Sequence, residues 1–184
     1  MHNKLRIIGG QWRSRVIAFD DAPGLRPTPN RVRETLFNWL QTDIPGSRCL
    51  DCFAGSGALG FEAASRGAKS VIQIEQNPII CRQLKASATA LGATQIKLVQ
   101  ADAFRYLTET LETFDIVFID PPFGQGLALQ ACHWLEDKGL LNPDAKIYLE
   151  TETELTLNVP NNWQMLKQKT AGDVAYCLFQ HLAI

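Results

Sequence analysis

Asp120-Pro121-Pro122-Phe123 places a carboxylate, two prolines and a large aromatic directly after the apolar run Phe114–Ile119. Two consecutive prolines fix φ and remove two N–H donors, so the segment presents its carbonyl oxygens in one rigid arrangement. The plainer reading is a turn whose phenylalanine packs into the core. A second constellation is Gly55, Gly57 and Gly60, spaced G-x-G-x-x-G after the apolar stretch "RCLDC". Glycines in this pattern let the backbone approach a ligand and leave helix N–H groups free to bind it. Acids also end successive apolar runs: Asp51, Glu75, Asp102 and Asp120. Glu75 has the motif spacing to reach ribose hydroxyls, and Asp102 suits either an adenine amino group or the N-cap of the next helix. Ligands of α/β sheets bind at the carboxyl ends of the strands, so this recurrence predicts a nucleotide-type site.

These residues need a scaffold, and from Arg48 onward the pattern is strand, glycine turn, helix, repeated. "RCLDC" leads to "FAGSGALGFEAASRGA", "SVIQIE" to "QNPIICRQLKASATALG", "IKLVQ" to "ADAFRYLTETL" and "FDIVFID" to "PPFGQGLALQACHWLEDKG". Each strand is short and nearly all apolar, as expected where helices cover both faces of a parallel sheet. The fold class is therefore α/β, doubly wound. After "AKIYLETE", the segment "WQMLKQKTAGDVAYCLFQHLAI" reads as two strands around the turn "TAGD", a closing antiparallel hairpin. At the other end, "KLRIIGG" and "RSRVIAF" alternate basic and apolar residues around Gly9 and Gly10, predicting an exposed β-hairpin with Arg13 and Arg15 on one face. A helix over about Pro29–Leu40 is predicted next, with Asn30 as its N-cap.

Composition narrows the function classes. A chain of 184 residues with 46% hydrophobic content fills the core of one ordinary domain. No stretch approaches the roughly 20 uninterrupted apolar residues of a membrane span, and Met1–Arg6 carries Lys4 and Arg6 without an apolar signal core, so a cytosolic protein is expected. Five cysteines in apolar segments suit reduced core thiols. Cys49 and Cys52 form C-x-x-C, but no second pair or nearby histidine completes a metal site, and no metal is expected. The three histidines (His2, His133, His181) adjoin no serine, cysteine or acid in a catalytic spacing. Charge is polarised: residues 1–33 hold seven basic side chains against two acidic ones, a net of +5, which leaves −6 for the rest of a chain of formal charge −1. A basic arm beside an acidic body fits a phosphate-backbone partner, or a merely solvated basic face. Trp12, between Gly10 and Arg13, suits stacking on a nucleotide or packing on the domain equally.

"LDCFAGSGALGFEAASRGA", "IEQN", "QADAF" and "DPPF", in this order, resemble the motifs of class I S-adenosylmethionine-dependent methyltransferases that act on exocyclic amino groups. "RIIGGQWRSRVI" with "GLRPTPNRVRETLFNWL" resembles the RsmD family, the bacterial small-subunit ribosomal RNA guanine-N2 methyltransferases. The resemblance implies a Rossmann-like domain over residues 29–184. Its sheet would be seven-stranded, mostly parallel and doubly wound, with a closing antiparallel hairpin. A basic extension over residues 1–28 would contact RNA. It implies S-adenosyl-L-methionine as cofactor, held by Asp51, Gly55, Ser56, Gly57, Glu75, Asp102 and Ala103. Asp120, Pro121, Pro122 and Phe123 would be catalytic: the carboxylate and the Pro121 carbonyl accept from the amino protons while Phe123 stacks on an extruded base. Thr28 and Arg31 lie where related enzymes close over the methionine end. The implied partner is 16S ribosomal RNA in the small subunit or an assembly intermediate. Lys4, Arg6, Trp12, Arg13, Arg15, Arg26, Arg31 and Arg33 would make the contacts. A monomer is the default for so small a body. A DNA or RNA adenine-N6 methyltransferase is the alternative, and a nucleotide-dependent oxidoreductase or an RNA-binding module would keep the glycine turn but not require Asp120–Phe123.

Overall fold

The nearly continuous apolar runs all become strands. A computed structural model describes residues 2–184. Its elements are β1 His2–Arg6, β2 Val16–Asp20, α1 Asn30–Trp39, β3 Arg48–Asp51, α2 Ala58–Ser65, β4 Ser70–Glu75 and α3 Pro78–Leu91. They continue with β5 Ile96–Gln100, α4 Ala103–Glu109, β6 Phe114–Ile119, α5 Leu127–Asp137, β7 Leu141–Glu152, β8 Trp163–Ala171 and β9 Val174–His181. One seven-stranded sheet runs in the order β5-β4-β3-β6-β7-β9-β8. β5 through β7 are parallel neighbours, and β9 and β8 close the sheet antiparallel. The chain leaves β3 toward β4 on one side and later returns to place β6 on the other. The crevice beyond the carboxyl ends of β3 and β6 is thus the topological switch point, where open α/β sheets bind ligands.

Alternation along β6 shows how both faces are filled. Ile116 and Phe118 join a core with α1, α2, α3 and the first hairpin. Val117 and Ile119 join a second core with α4 and α5. Phe37 of α1 packs on Phe118 with ring centroids 5.9 Å apart, and Trp39 stacks on Tyr176 at 5.6 Å.

Two local expectations change. Asn30 is the first residue of α1, with Pro29 at the N-cap and no side-chain cap bond. Its carboxamide oxygen instead accepts from Arg33 Nη2, one turn on. The amino-terminal hairpin forms, with His2 opposite Asp20 and Arg6 opposite Val16, but it is docked rather than projecting. Its alternate apolar residues Leu5, Ile7, Ile17 and Phe19, with Trp12 from the connection, are buried in the core shared with α1, α2 and α3. Arg13 and Arg15 lie in the connection between the two strands and are exposed there. Gly10, at φ +78°, is pressed so closely on α2 that a Cβ would lie 2.0 Å from Ser65 O. Trp12 N donates to Ser65 Oγ at 2.9 Å and Ser65 Oγ donates to Gly9 O at 2.6 Å.

All five cysteines are buried and unbridged, and burial pushes the Cys49 thiol up to about 12. Among the described residues there is no cluster suited to a metal ion, and no helix is long and apolar enough to cross a membrane.

Candidate active site

β3 ends in Asp51, whose residue is 1% exposed and whose Oδ2 accepts from Gly60 N at 3.2 Å. Burial pushes this carboxyl up to about 7, against the stabilising Gly60 N–H, and the charge of Glu75 adds to the rise. Asp51 therefore braces the turn from beneath. Gly57, the N-cap of α2, sits at φ +83°, and a Cβ there would meet the Phe61 ring at 2.4 Å. Gly60 faces Gln73 of β4, which a Cβ would meet at 2.5 Å. The second and third glycines thus serve backbone conformation and helix–strand approach.

Glu75 straps the same turn from the neighbouring strand. Its Oε2 accepts from Gly55 N at 3.1 Å and its Oε1 from Asn77 N at 3.0 Å. The residue stays half-buried. Asp102 is exposed and caps α4, with Oδ1 accepting from Arg105 N at 3.1 Å. Ala103, buried, opens that helix, where a backbone N–H has no partner one turn back. A glycine turn at a helix N-terminus, flanked by carboxylates at two strand ends, fits a nucleoside with a cationic amino-acid tail.

Across the switch point, Asp120 follows β6. Pro121 is buried, whereas Pro122 and Phe123 are exposed, Phe123 by 40%. The aromatic is exposed and does not pack in the core, which sets aside the plainer reading of this segment. Gly124 N donates to Glu152 Oε1, tying the segment back to the end of β7. Asp120 keeps part of its surface open, yet its carboxyl is densely surrounded by protein. Burial first, and then the charge of Glu150, hold that carboxyl well above the usual range, while the Thr28 hydroxyl opposes the rise.

The structure brings Asp51, Gly55, Ser56, Gly57, Glu75 and Asp120 to one sheet edge, with Asp102 and Ala103 at the end of β5. Six of the basic residues, Lys4, Arg6, Arg13, Arg15, Arg26 and Arg31, are exposed. Two of the expected RNA contacts are corrected. Trp12 is 4% exposed and fills the core beneath the hairpin. Arg33 is 0% exposed, and its guanidinium points inward to Glu62 Oε2 at 3.6 Å, Arg6 O at 3.1 Å and Thr28 O at 3.2 Å. Its place on the inner face of α1, beside Val32, Leu36 and Phe37, is the physical reason. Glu62, Glu150 and Tyr148 were not anticipated. For Glu150 a signal existed: it ends the buried run "IYL" as Asp51, Glu75 and Asp120 end theirs.

Comparisons with known proteins place the chain in a family. Residues 5–180 match the model of a family described as "Conserved hypothetical protein 95". The chain is 48% identical to "Ribosomal RNA small subunit methyltransferase D" of Escherichia coli (strain K12), covering 98% of this chain and 91% of that one. It is 45% identical to the protein of the same name from Haemophilus influenzae, over 97% and 94% of the two chains. A solved structure titled "Putative methyltransferase yhhF from Escherichia coli" superposes with a TM-score of 0.90 at 47% identity, covering 99% of this chain and all of that one. The sheet order and switch-point crevice are those of a class I methyltransferase, and likeness of this degree along nearly the whole length means that the chain belongs to the ribosomal RNA small subunit methyltransferase D family.

Proposed function

We propose that this protein transfers a methyl group from S-adenosyl-L-methionine to the exocyclic N2 of a specific guanine in 16S ribosomal RNA. The substrate would be a small subunit or an assembly intermediate, and the enzyme a cytoplasmic monomer. The observation that supports this most directly is the mouth of the crevice: a carboxyl, a rigid carbonyl and an exposed aromatic beside the glycine turn.

When bound, the cofactor supplies a sulfonium methyl that is already strongly activated. Gly55, Ser56 and Gly57 would lie beneath its methionine part, Glu75 would hold the ribose hydroxyls, and Asp102 with the Ala103 backbone would read the adenine. The guanine amino nitrogen is a poor nucleophile because its lone pair is delocalised into the ring, so the chain's task is alignment and localisation. The Asp120 carboxyl and the Pro121 carbonyl accept from the two amino protons, drawing the nitrogen toward tetrahedral geometry. The positive charge that N2 carries once methylated is relieved by the loss of one amino proton. Phe123 offers a stacking face to a base taken out of its helix or loop. Lys4, Arg6, Arg13, Arg15, Arg26 and Arg31 supply phosphate contacts that the acidic body lacks.

Radiolabelled methyl transfer to naked 16S RNA, small subunits and DNA in parallel, followed by nucleoside analysis, tests the reading. N2-methylguanine from the ribosomal substrates is expected, and N6-methyladenine would overturn it. Asp120→Ala should abolish transfer while S-adenosylmethionine still binds by calorimetry; full activity in that variant would remove Asp120 from the chemistry.

A further inference from the structure

Asp120 does not end its strand alone. In the parallel pairing of β6 with β7, Ile119 lies opposite Leu149, so Asp120 and Glu150 follow as side-by-side residues of adjacent strands. The negative charge of Glu150 therefore acts directly on the Asp120 carboxyl. Glu150 is 7% exposed, and Tyr148 Oη donates to its Oε2 at 2.8 Å. Thr28, 5% exposed, donates its hydroxyl to Asp120 Oδ2 at 3.1 Å. Thr28 is itself held, because Arg33 Nε donates to its carbonyl at 3.2 Å. Packing alone requires neither the hydroxyl nor an ionisable carboxyl: valine would fill the space of Thr28 and glutamine that of Glu150. Two neighbouring carboxyls resist ionising together, so the pair favours keeping one proton.

We propose that Glu150 and Thr28 are positioning residues that act on methyl transfer through Asp120. Glu150 favours its keeping a proton, and the Thr28 hydroxyl aims the carboxyl, so that an oxygen stays presented to the crevice as an acceptor. The inference rests on the reading of Asp120 given above. The two neighbours pull the Asp120 proton in opposite directions. The negative charge of Glu150 favours keeping it, whereas the Thr28 donor favours losing it. Other groups facing the pair are Asp51 of β3, whose charge reaches Asp120, and Tyr148 of β7, which holds Glu150. Tyr176 of β9 lies opposite Glu150 in the sheet register and faces Tyr148.

The test reads protonation directly, in protein without cofactor or RNA. Aspartate labelled with ¹³C at the carboxyl is followed by NMR against pH, with the Asp120 resonance assigned by its loss in Asp120→Asn. Thr28→Val should raise the apparent pKa of Asp120 by about one unit, Thr28→Ser should restore it, and Glu150→Gln should lower it by a similar amount. The acid limb of single-turnover transfer at saturating cofactor should move the same way in each variant, with KM for RNA unchanged. Asp51 titrates in every one of these proteins and cancels in the differences. Shifts that are absent or of one sign in both variants overturn the proposal, as do opposite NMR shifts that leave the transfer profile untouched. The Thr28 pair decides the matter by itself if Glu150→Gln fails to fold. Wild-type transfer by Asp120→Ala would instead refute the underlying role of Asp120.

Discussion

Replacing Arg33 with methionine separates a buried tie from an RNA contact. The guanidinium holds four groups: Glu62 Oε2 at 3.6 Å, Arg6 O at 3.1 Å, Thr28 O at 3.2 Å and the Asn30 carboxamide. Removing one partner of a buried ion pair costs about 3 to 5 kcal/mol, because the other charge stays desolvated. Here Glu62 retains Arg66 Nε at 2.9 Å and the backbone N–H groups of Ile8 and Gly9 at 3.0 and 2.9 Å, so the lower end applies. Two stranded carbonyls add about 1 kcal/mol each, and relief from burying a cation offsets roughly as much. The net expectation is a loss of about 3 kcal/mol, which in a domain of this size lowers Tm by roughly 6 to 12 °C. Urea unfolding with an unchanged m-value measures it, and RNA titration at several salt concentrations provides the contrast. Arg31→Gln, two residues earlier on the exposed face of α1, should change stability by less than about 0.5 kcal/mol and reduce the salt slope of RNA binding by roughly 0.7 to 0.9 for each phosphate it no longer neutralises. An Arg33→Met protein that melts like wild type and loses salt-dependent RNA affinity would refute the buried tie.

Two further outcomes follow from the site. Asp51 has a folded pKa of about 7 against roughly 4 in the unfolded chain, so across that window the native state keeps a proton the unfolded state has released. Its contribution to stability is full below that window and is lost as pH rises toward 7. Asp51→Asn should therefore gain on wild type in urea unfolding between pH 4 and 7.5, and a constant difference would show that Asp51 is not held protonated. Exchanging Arg13 and Arg15 together for glutamine should weaken RNA binding and its salt dependence while cofactor affinity by calorimetry stays the same. Substitution is the apt perturbation, since deleting the hairpin would also strip Leu5, Ile7, Trp12, Ile17 and Phe19 from the core.

The repeated strand–turn–helix pattern made the layers and the crevice legible, because a strand buried on both faces must be apolar throughout and a sheet edge that binds ligands collects polar strand ends. Gly57 and Gly60 were legible for a similar reason: a left-handed turn and a close strand leave no room for a side chain. The facing of an isolated side chain was less so. Arg33 and Arg31 are both arginines in one helix, and only the packing of α1 on β6 turns the first inward and the second to solvent. Trp12 likewise went to the core because the hairpin lies flat on α2, an approach across 53 residues of sequence.

By its own local chemistry the sequence determined the α/β alternation, the glycine turn, the strand-end acids and a basic first segment, since each is a property of neighbouring residues. Tertiary structure alone decided what surrounds Asp120. Thr28 lies 92 residues before it and Glu150 comes from the adjacent strand, so their meeting depends on strand order and register, which no local pattern encodes.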